Sequence, residues 1–151
     1  MPGPSVWGYD PYVDPLPENF RRAALMDLMS ECDFITIHVH LTEETKGMIS
    51  RRCFEVIKAG AVLINTSRGA VQDQGAMLEA LKTGRLGAAG LDVLEGEPDI
   101  DDHPLVEYAR RHHNLIITPH CGGFSPDAVV LVSIYAAKKV FDELRVAHGQ
   151  S

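Results

Sequence analysis

Three side chains in this sequence are of the types that acid–base chemistry at a carbonyl requires: Arg68, Glu97 and His120. Histidine exchanges a proton near neutral pH. A carboxylate bonded to its second ring nitrogen fixes the tautomer and raises its basicity, a pairing of base and orienting group that recurs in enzymes. Guanidinium offers a planar fork that grips a carboxylate through two hydrogen bonds and polarises a carbonyl beside it. Asp10 stands after Val6-Trp7-Gly8-Tyr9 and before Pro11. A carboxylate there either accepts hydrogen bonds from the ribose hydroxyls of an adenine dinucleotide or simply starts a turn. Each residue taken singly has an ordinary alternative. Arg68 alone reads equally as half of a surface ion pair worth ~1 kcal/mol or less. His120 alone reads as a polar loop residue.

The elements that would position these residues are legible from apolar runs and punctuation. Val6 to Tyr9, Phe34 to Val39, Ala61 to Asn65, Gly87 to Val93 and Asn114 to Thr118 have strand length and composition. Helical spacing places helices at Phe20 to Glu31, after Ser50 to Ile57, at Gln74 to Lys82 behind an Asp73 cap, and at Leu105 to Arg111. A long final helix, behind the Ser125-Pro126 start, runs to about Ala147. Gly60 and Gly84 fall where helices must stop. Strands that are continuous apolar runs separated by helices predict a parallel sheet covered on both faces, an α/β fold. Ligands of such sheets bind beyond the carboxyl ends of the strands. The residues there are Asp10, Val39 to Thr42, Thr66 to Gly69, Asp92 to Glu97, and His120 to Gly123, where polar, charged and glycine residues cluster.

Composition bounds the partners. The chain has 151 residues, 45% hydrophobic and 23% charged, which suits one soluble domain with its own core. Its net charge of −7 argues against nucleic acid or an anionic membrane as the main partner. No apolar run reaches the ~18 residues of a membrane span. The Met1-Pro2-Gly3-Pro4 start has no secretory pattern. Three unpaired cysteines, Cys32, Cys53 and Cys121, read as reduced thiols of a cytoplasmic protein, the first two as small core residues. His112, His113, His120 and Cys121 follow no common zinc spacing, so no metal is expected. Arg110-Arg111-His112-His113 reads as the C-terminal cap of a short helix.

Read together, the motifs are more specific than their members. Asn65-Thr66-Ser67-Arg68-Gly69, Gly90-Leu91-Asp92-Val93-Leu94-Glu95-Gly96-Glu97-Pro98 and Thr118-Pro119-His120-Cys121-Gly122-Gly123 occur in that order. They follow Asp33 to Thr42 and Glu43-Glu44-Thr45-Lys46-Gly47. This series resembles the nucleotide-binding domain of the D-isomer-specific 2-hydroxyacid dehydrogenases, over roughly residues 5 to 145. That family includes phosphoglycerate, glycerate and formate dehydrogenases and the C-terminal-binding-protein corepressors.

The resemblance implies NAD as cofactor and a 2-hydroxy or 2-keto acid as substrate. It implies that Arg68 binds the substrate carboxylate and carbonyl, that His120 is the proton donor and acceptor, and that Glu97 is its carboxylate partner. Asp10 corresponds to the ribose-binding acid and favours NAD, since a carboxylate repels a 2′-phosphate. Thr66 and Ser67 correspond to the nicotinamide pocket, Asp92 to the acid that holds the carboxamide, and Val39 and His40 to backbone passing the adenosine side. Gly122 and Gly123 follow His120 at the nicotinamide end.

The sequence departs from the family pattern in one large respect. It contains no Gly-x-Gly-x-x-Gly turn, the element that with its helix N-terminus holds a pyrophosphate. The expected architecture is therefore a Rossmann-like, doubly wound parallel sheet truncated at its N-terminal βα unit, with five main strands and without the substrate domain. The strands ending near Asp10 and Val39 would leave a gap between them, pair directly, or receive a strand from another chain. The isolated chain is expected to be inactive or nearly so, and to form homodimers. A dinucleotide-sensing or corepressor-like binding module, or a non-enzymatic fragment, is the alternative. His40 stands where proline is usual, Gln72 where an apolar residue is usual, and Cys121 is a variant of an apolar position.

Overall fold

A computed structural model of the chain describes residues 5–13 and 15–147. The Met1-Pro2-Gly3-Pro4 start lies outside them. Two compact units are present, Met1–Pro119 and His120–Ser151.

In the first unit the strands form two all-parallel sheets. β1 (Val6–Gly8) pairs with β2 (Phe20–Arg22). β3 (Phe34–Ile37), β4 (Ala61–Asn65), β5 (Leu86–Leu91) and β6 (Leu115–Ile117) make a four-stranded sheet in that order. Helices α1 (Leu25–Glu31), α2 (Arg51–Val56), α3 (Gln74–Lys82) and α4 (Pro104–Ala109) alternate with these strands, and a 3-10 turn covers Gly69–Val71. This is the expected Rossmann-like α/β arrangement.

Two expectations need correction. Among the described residues the five-strand count becomes six strands, and they divide between two sheets. Phe20 to Arg22 is a strand, and the helix begins only at Leu25. The helical spacing of Ala24, Leu25, Leu28 and Met29 is real, but residues 20–22 gain backbone hydrogen bonds from β1 that override local propensity. The ladder that begins at β3 does not include β1, so the two strands do not pair directly within this chain and a gap separates them. A groove of about 590 Å³ lies there, lined by Val6, Trp7, Leu28, Phe34 and Ile35 among others.

The core explains which half of each strand matters. Ile35 and Ile37 of β3, Ala61 and Leu63 of β4, and Leu91 of β5 are buried with Met29, Phe54, Met77, Leu81 and Leu105 from the helices. Burial alternates along β3, so Phe34 on its other face is 76% exposed. Ile64 and Ile116 are exposed as well. Apolar runs therefore mark strands correctly, while only one of their faces is closed over by the α1–α4 core. Cys53 is buried and Cys32 packs at the core margin, as small core residues do.

Local signals hold at the helix ends. Asp73 Oδ1 accepts the Ala76 N–H at 2.8 Å, the expected cap of α3. Gly84, just past α3, has φ +73°, which suits a residue without Cβ. Ser50 precedes α2 without a side-chain cap bond. After α4, Arg110 and Arg111 pair with Glu107. His112 stacks on Tyr108, and its Nδ1 meets the Tyr108 carbonyl at 2.9 Å.

The second unit is dominated by α5 (Pro126–Ala147). Ser125 Oγ accepts the Ala128 N–H at 3.1 Å, so the expected N-cap with first-turn proline is realised.

Candidate active site

The register of the four-stranded sheet brings the strand ends level. Ile37, Asn65, Leu91 and Ile117 are successive ladder partners across β3 to β6. The next residues, His38, Thr66, Asp92 and Thr118, therefore emerge along one edge. Backbone bonds continue the ladder for one residue, from Asp92 N to Asn65 O and from Thr118 N to Leu91 O, both 2.9 Å.

Two clefts open on this edge. One, about 400 Å³, is lined by His38, Val39, His40, Leu41, Thr66, Ser67 and Arg68. The other, about 300 Å³, includes Asp10, Gly8, His38 and Val39 in its wall. His38 and Val39 border both, so the walls connect Asp10 to Arg68. Six of the residues singled out from sequence, Asp10, Val39, His40, Thr66, Ser67 and Arg68, thus line one stretch of surface.

Arg68 is exposed, and its Nη1 donates to the Ser67 carbonyl at 2.6 Å. Its loop is built around Asn65. The Asn65 side chain is fully buried, its Oδ1 accepts Ser67 N–H at 2.9 Å and Ser67 Oγ–H at 2.8 Å, and its Nδ2 donates to the Arg68 carbonyl at 3.0 Å.

Gly69 follows, and here the absence of a side chain is a steric requirement. A Cβ would lie 2.1 Å from the Leu94 carbonyl carbon and 2.3 Å from Glu95 N. The loop bearing Arg68 therefore rests on the loop bearing Glu97. On that second loop Glu97 Oε1 accepts the Leu94 N–H at 2.5 Å. Asp92 is buried and accepts the Thr118 hydroxyl at 2.5 Å.

The loop after β3 is held by threonines. Thr45 Oγ1 donates to the His40 carbonyl at 2.6 Å and accepts the Thr42 N–H at 2.8 Å. Gly47 N then donates to Ala70 O at 2.9 Å, which joins this loop to the 3-10 turn after Arg68. The Thr45-Lys46-Gly47 motif noted in the sequence is thus a brace for His40.

Asp10 makes the turn that sequence reading left open as its alternative. Its Oδ1 accepts the N–H groups of Tyr12 at 2.8 Å and Val13 at 3.2 Å. Arg22 Nη1 donates to its carbonyl at 3.0 Å. His120 opens the second unit with a φ of +52°, a conformation uncommon for a residue with a side chain. Gly122 and Gly123 follow it, and Phe124 N closes a turn onto Cys121 O at 2.9 Å. Arg68 and Glu97 belong to the first unit.

Sequence reasoning missed Asn65 and Gln74 as members of this region. Asn65 ends an apolar strand, where a polar residue about to be buried is itself a signal. Gln74 stands in the first turn of an amphipathic helix and gives no comparable sign.

A cleft beyond the carboxyl ends of parallel strands is where open α/β sheets bind their ligands. The comparisons agree. The sequence profile described as D-isomer specific 2-hydroxyacid dehydrogenase, NAD binding domain, matches residues 2–122, and the chain belongs to that family. It is 35% identical over 144 residues to hydroxypyruvate reductase of Thermotoga maritima, covering 95% of this chain and 46% of that protein. It is 35% identical over 139 residues to D-3-phosphoglycerate dehydrogenase of Archaeoglobus fulgidus, covering 90% of this chain and 26% of the relative. Among solved structures it resembles D-2-hydroxyisocaproate dehydrogenase, with a TM-score of 0.84 and 29% identity over 97% of this chain and 47% of that one. The NAD-complexed D-isomer specific 2-hydroxyacid dehydrogenase of Lactobacillus delbrueckii ssp. bulgaricus gives a TM-score of 0.74 and 28% identity over the same shares, 97% and 47%. The chain spans less than half the length of each of these proteins.

Proposed function

We propose that this chain carries part of a D-2-hydroxyacid dehydrogenase site, with residues of both its adenosine wall and its nicotinamide end. The single observation behind this reading is the surface joining Asp10, Val39, His40, Thr66, Ser67 and Arg68 at the carboxyl ends of parallel strands. The residues fit a dinucleotide in part. Asp10 and the Val39–His40 backbone supply the ribose and adenosine wall, and Thr66, Ser67 and Asp92 the nicotinamide end; Gly122 and Gly123 match the family's residues at that end. The sequence holds no glycine-rich turn for the pyrophosphate.

When bound, NAD supplies the carbon that takes or returns a hydride. Arg68 holds the carboxylate of a 2-hydroxy or 2-keto acid and stabilises charge developing on the neighbouring oxygen. By the family's pattern His120 takes the hydroxyl proton in oxidation and returns it in reduction, and Glu97 matches the family's carboxylate. The proton rests on a ring nitrogen between the two directions.

The 151 residues by themselves turn over little or nothing, because no pyrophosphate cradle is among them. Titration with NADH followed by fluorescence, and assays with several 2-keto acids, test this. Micromolar NADH binding together with turnover that His120→Ala abolishes would overturn it. NADH binding without turnover would favour a sensing module.

Homodimerisation and a cytoplasmic setting are part of the same reading. The exposed sheet-face residues Phe34, Ile64 and Ile116 support the first, and three free thiols support the second. Light scattering that finds a monomer across a wide concentration range would remove the dimer.

A further inference from the structure

Two carboxamides lie behind the Arg68 loop, and both are spent on it. Asn65 is fully buried, and Gln74, in the first turn of α3, is 8% exposed. Asn65 Nδ2 donates to the carbonyl of Arg68 at 3.0 Å. Gln74 Nε2 donates to the next carbonyl, that of Gly69, at 3.4 Å. The acceptor ends reach different places. Asn65 Oδ1 takes the Ser67 N–H and hydroxyl within the same loop. Gln74 Oε1 takes the Glu95 N–H at 3.3 Å, in the loop that leads to Glu97. Gly69 meets the same Leu94–Glu95 backbone by direct packing.

We propose that Asn65 and Gln74 are positioning residues for Arg68, their amides fixing the backbone on both sides of it and locking it to the loop that carries Glu97. A carboxamide is needed at each place because one planar group must donate to a carbonyl and accept from an N–H. A carboxylate would set an anionic oxygen against the carbonyl, and an alkyl group would leave buried backbone groups unpaired. The guanidinium itself is exposed and ends a long flexible stem. Its Nη1 donates to the Ser67 carbonyl at 2.6 Å, so the loop backbone that the amides hold also places the guanidinium, and a displacement of ~1 Å in such a group can cost about 100-fold in rate. The inference rests on Arg68 as the carboxylate-binding residue.

The test uses the 151-residue chain, with amide hydrogen exchange and the Arg68 Nε–Hε NMR signal as readouts. Gln74→Met should speed exchange at Glu95 about tenfold or more beyond any change in the slowest-exchanging core amides, and should shift the Arg68 signal. Gln74→Glu should shift the Arg68 signal near neutral pH, because a carboxylate still accepts the Glu95 N–H but cannot donate to the Gly69 carbonyl. It should recover the wild-type Arg68 signal at low pH, once a protonated carboxyl can again both donate and accept. Asn65→Ala should release the Ser67 amide in the same selective way.

A purely space-filling role predicts no pH-dependent rescue by Gln74→Glu and a uniform change over all amides. Either result overturns the proposal, as does an Arg68 signal indifferent to Gln74→Met. Titration of the wild-type chain with oxamate, a planar 2-keto acid analogue, examines Arg68 separately. An Arg68 signal that ignores oxamate refutes its carboxylate-binding role, whatever the exchange data say of the two amides.

Discussion

Gly69→Ala probes the contact on which the site depends. The added methyl would lie 2.1 Å from the Leu94 carbonyl carbon, 2.3 Å from Glu95 N and 2.5 Å from Leu94 O. All three obstacles are backbone, so no rotamer change relieves them. Ordinary contact begins near 3.4 Å, so the two loops must part by about 1 Å. Overpacking of this kind costs about 1–3 kcal/mol. The Gln74 bridge, already at 3.3 and 3.4 Å, cannot survive such a separation. Its two hydrogen bonds add about 1 kcal/mol each. The sum is roughly 3–5 kcal/mol, equivalent to a fall in Tm of roughly 10 °C for a chain of this size. Urea unfolding followed by circular dichroism measures it. Gly123→Ala is the control, because a methyl there meets nothing within 4 Å. It should stay within about 0.5 kcal/mol of wild type. A Gly69→Ala variant within about 1 kcal/mol of wild type would refute the claim that these loops are in obligatory backbone contact.

Three other perturbations address separate features. His103 caps α4 by accepting the Leu105 N–H on Nδ1 at 3.2 Å, and burial pushes its pKa below the ordinary 6.5, with Glu95 opposing weakly. The depressed value means that its contribution is complete above pH 6.5 and is lost as pH falls below it, when the ring must charge and surrender the acceptor. His103→Asn should keep the cap and flatten that acid-side slope in urea titrations; parallel slopes for the two proteins would contradict this. Gln72 is 2% exposed, and neither amide atom has a hydrogen-bond partner among the described residues. Gln72→Met should therefore raise stability by about 1–2 kcal/mol, and a loss of stability would show that the amide is satisfied. Thr45→Val removes the bonds to His40 O and Thr42 N and should cost about 1 kcal/mol, with faster exchange confined to residues 40–47. Unchanged exchange there would mean that the hydroxyl is not the brace.

Much of the fold was readable because its signals are local. Apolar runs located β1 and β3 to β6, Asp73 and Ser125-Pro126 announced the starts of α3 and α5, and Gly84 announced the end of α3. β2 was not readable, since Phe20 to Arg22 is a strand only where β1 offers it hydrogen bonds. The open face of the sheet was also hidden. Phe34, Ile64 and Ile116 are as apolar as their buried neighbours, and composition cannot tell a covered residue from an uncovered one.

The site divides in the same way. Residue types and motif order by themselves determined Arg68, Glu97 and His120 as candidates, and with them the family, because the chemistry demands those groups in that context. Tertiary structure decided what holds them. The parallel register levels residues 38, 66, 92 and 118, Asp10 spends one carboxylate oxygen on its own turn, Asn65 holds the Arg68 loop from within, and Gly69 and Gln74 tie it to its neighbour. These are contacts between segments distant in sequence, where a buried amide or a missing Cβ has meaning only once its partners are in place.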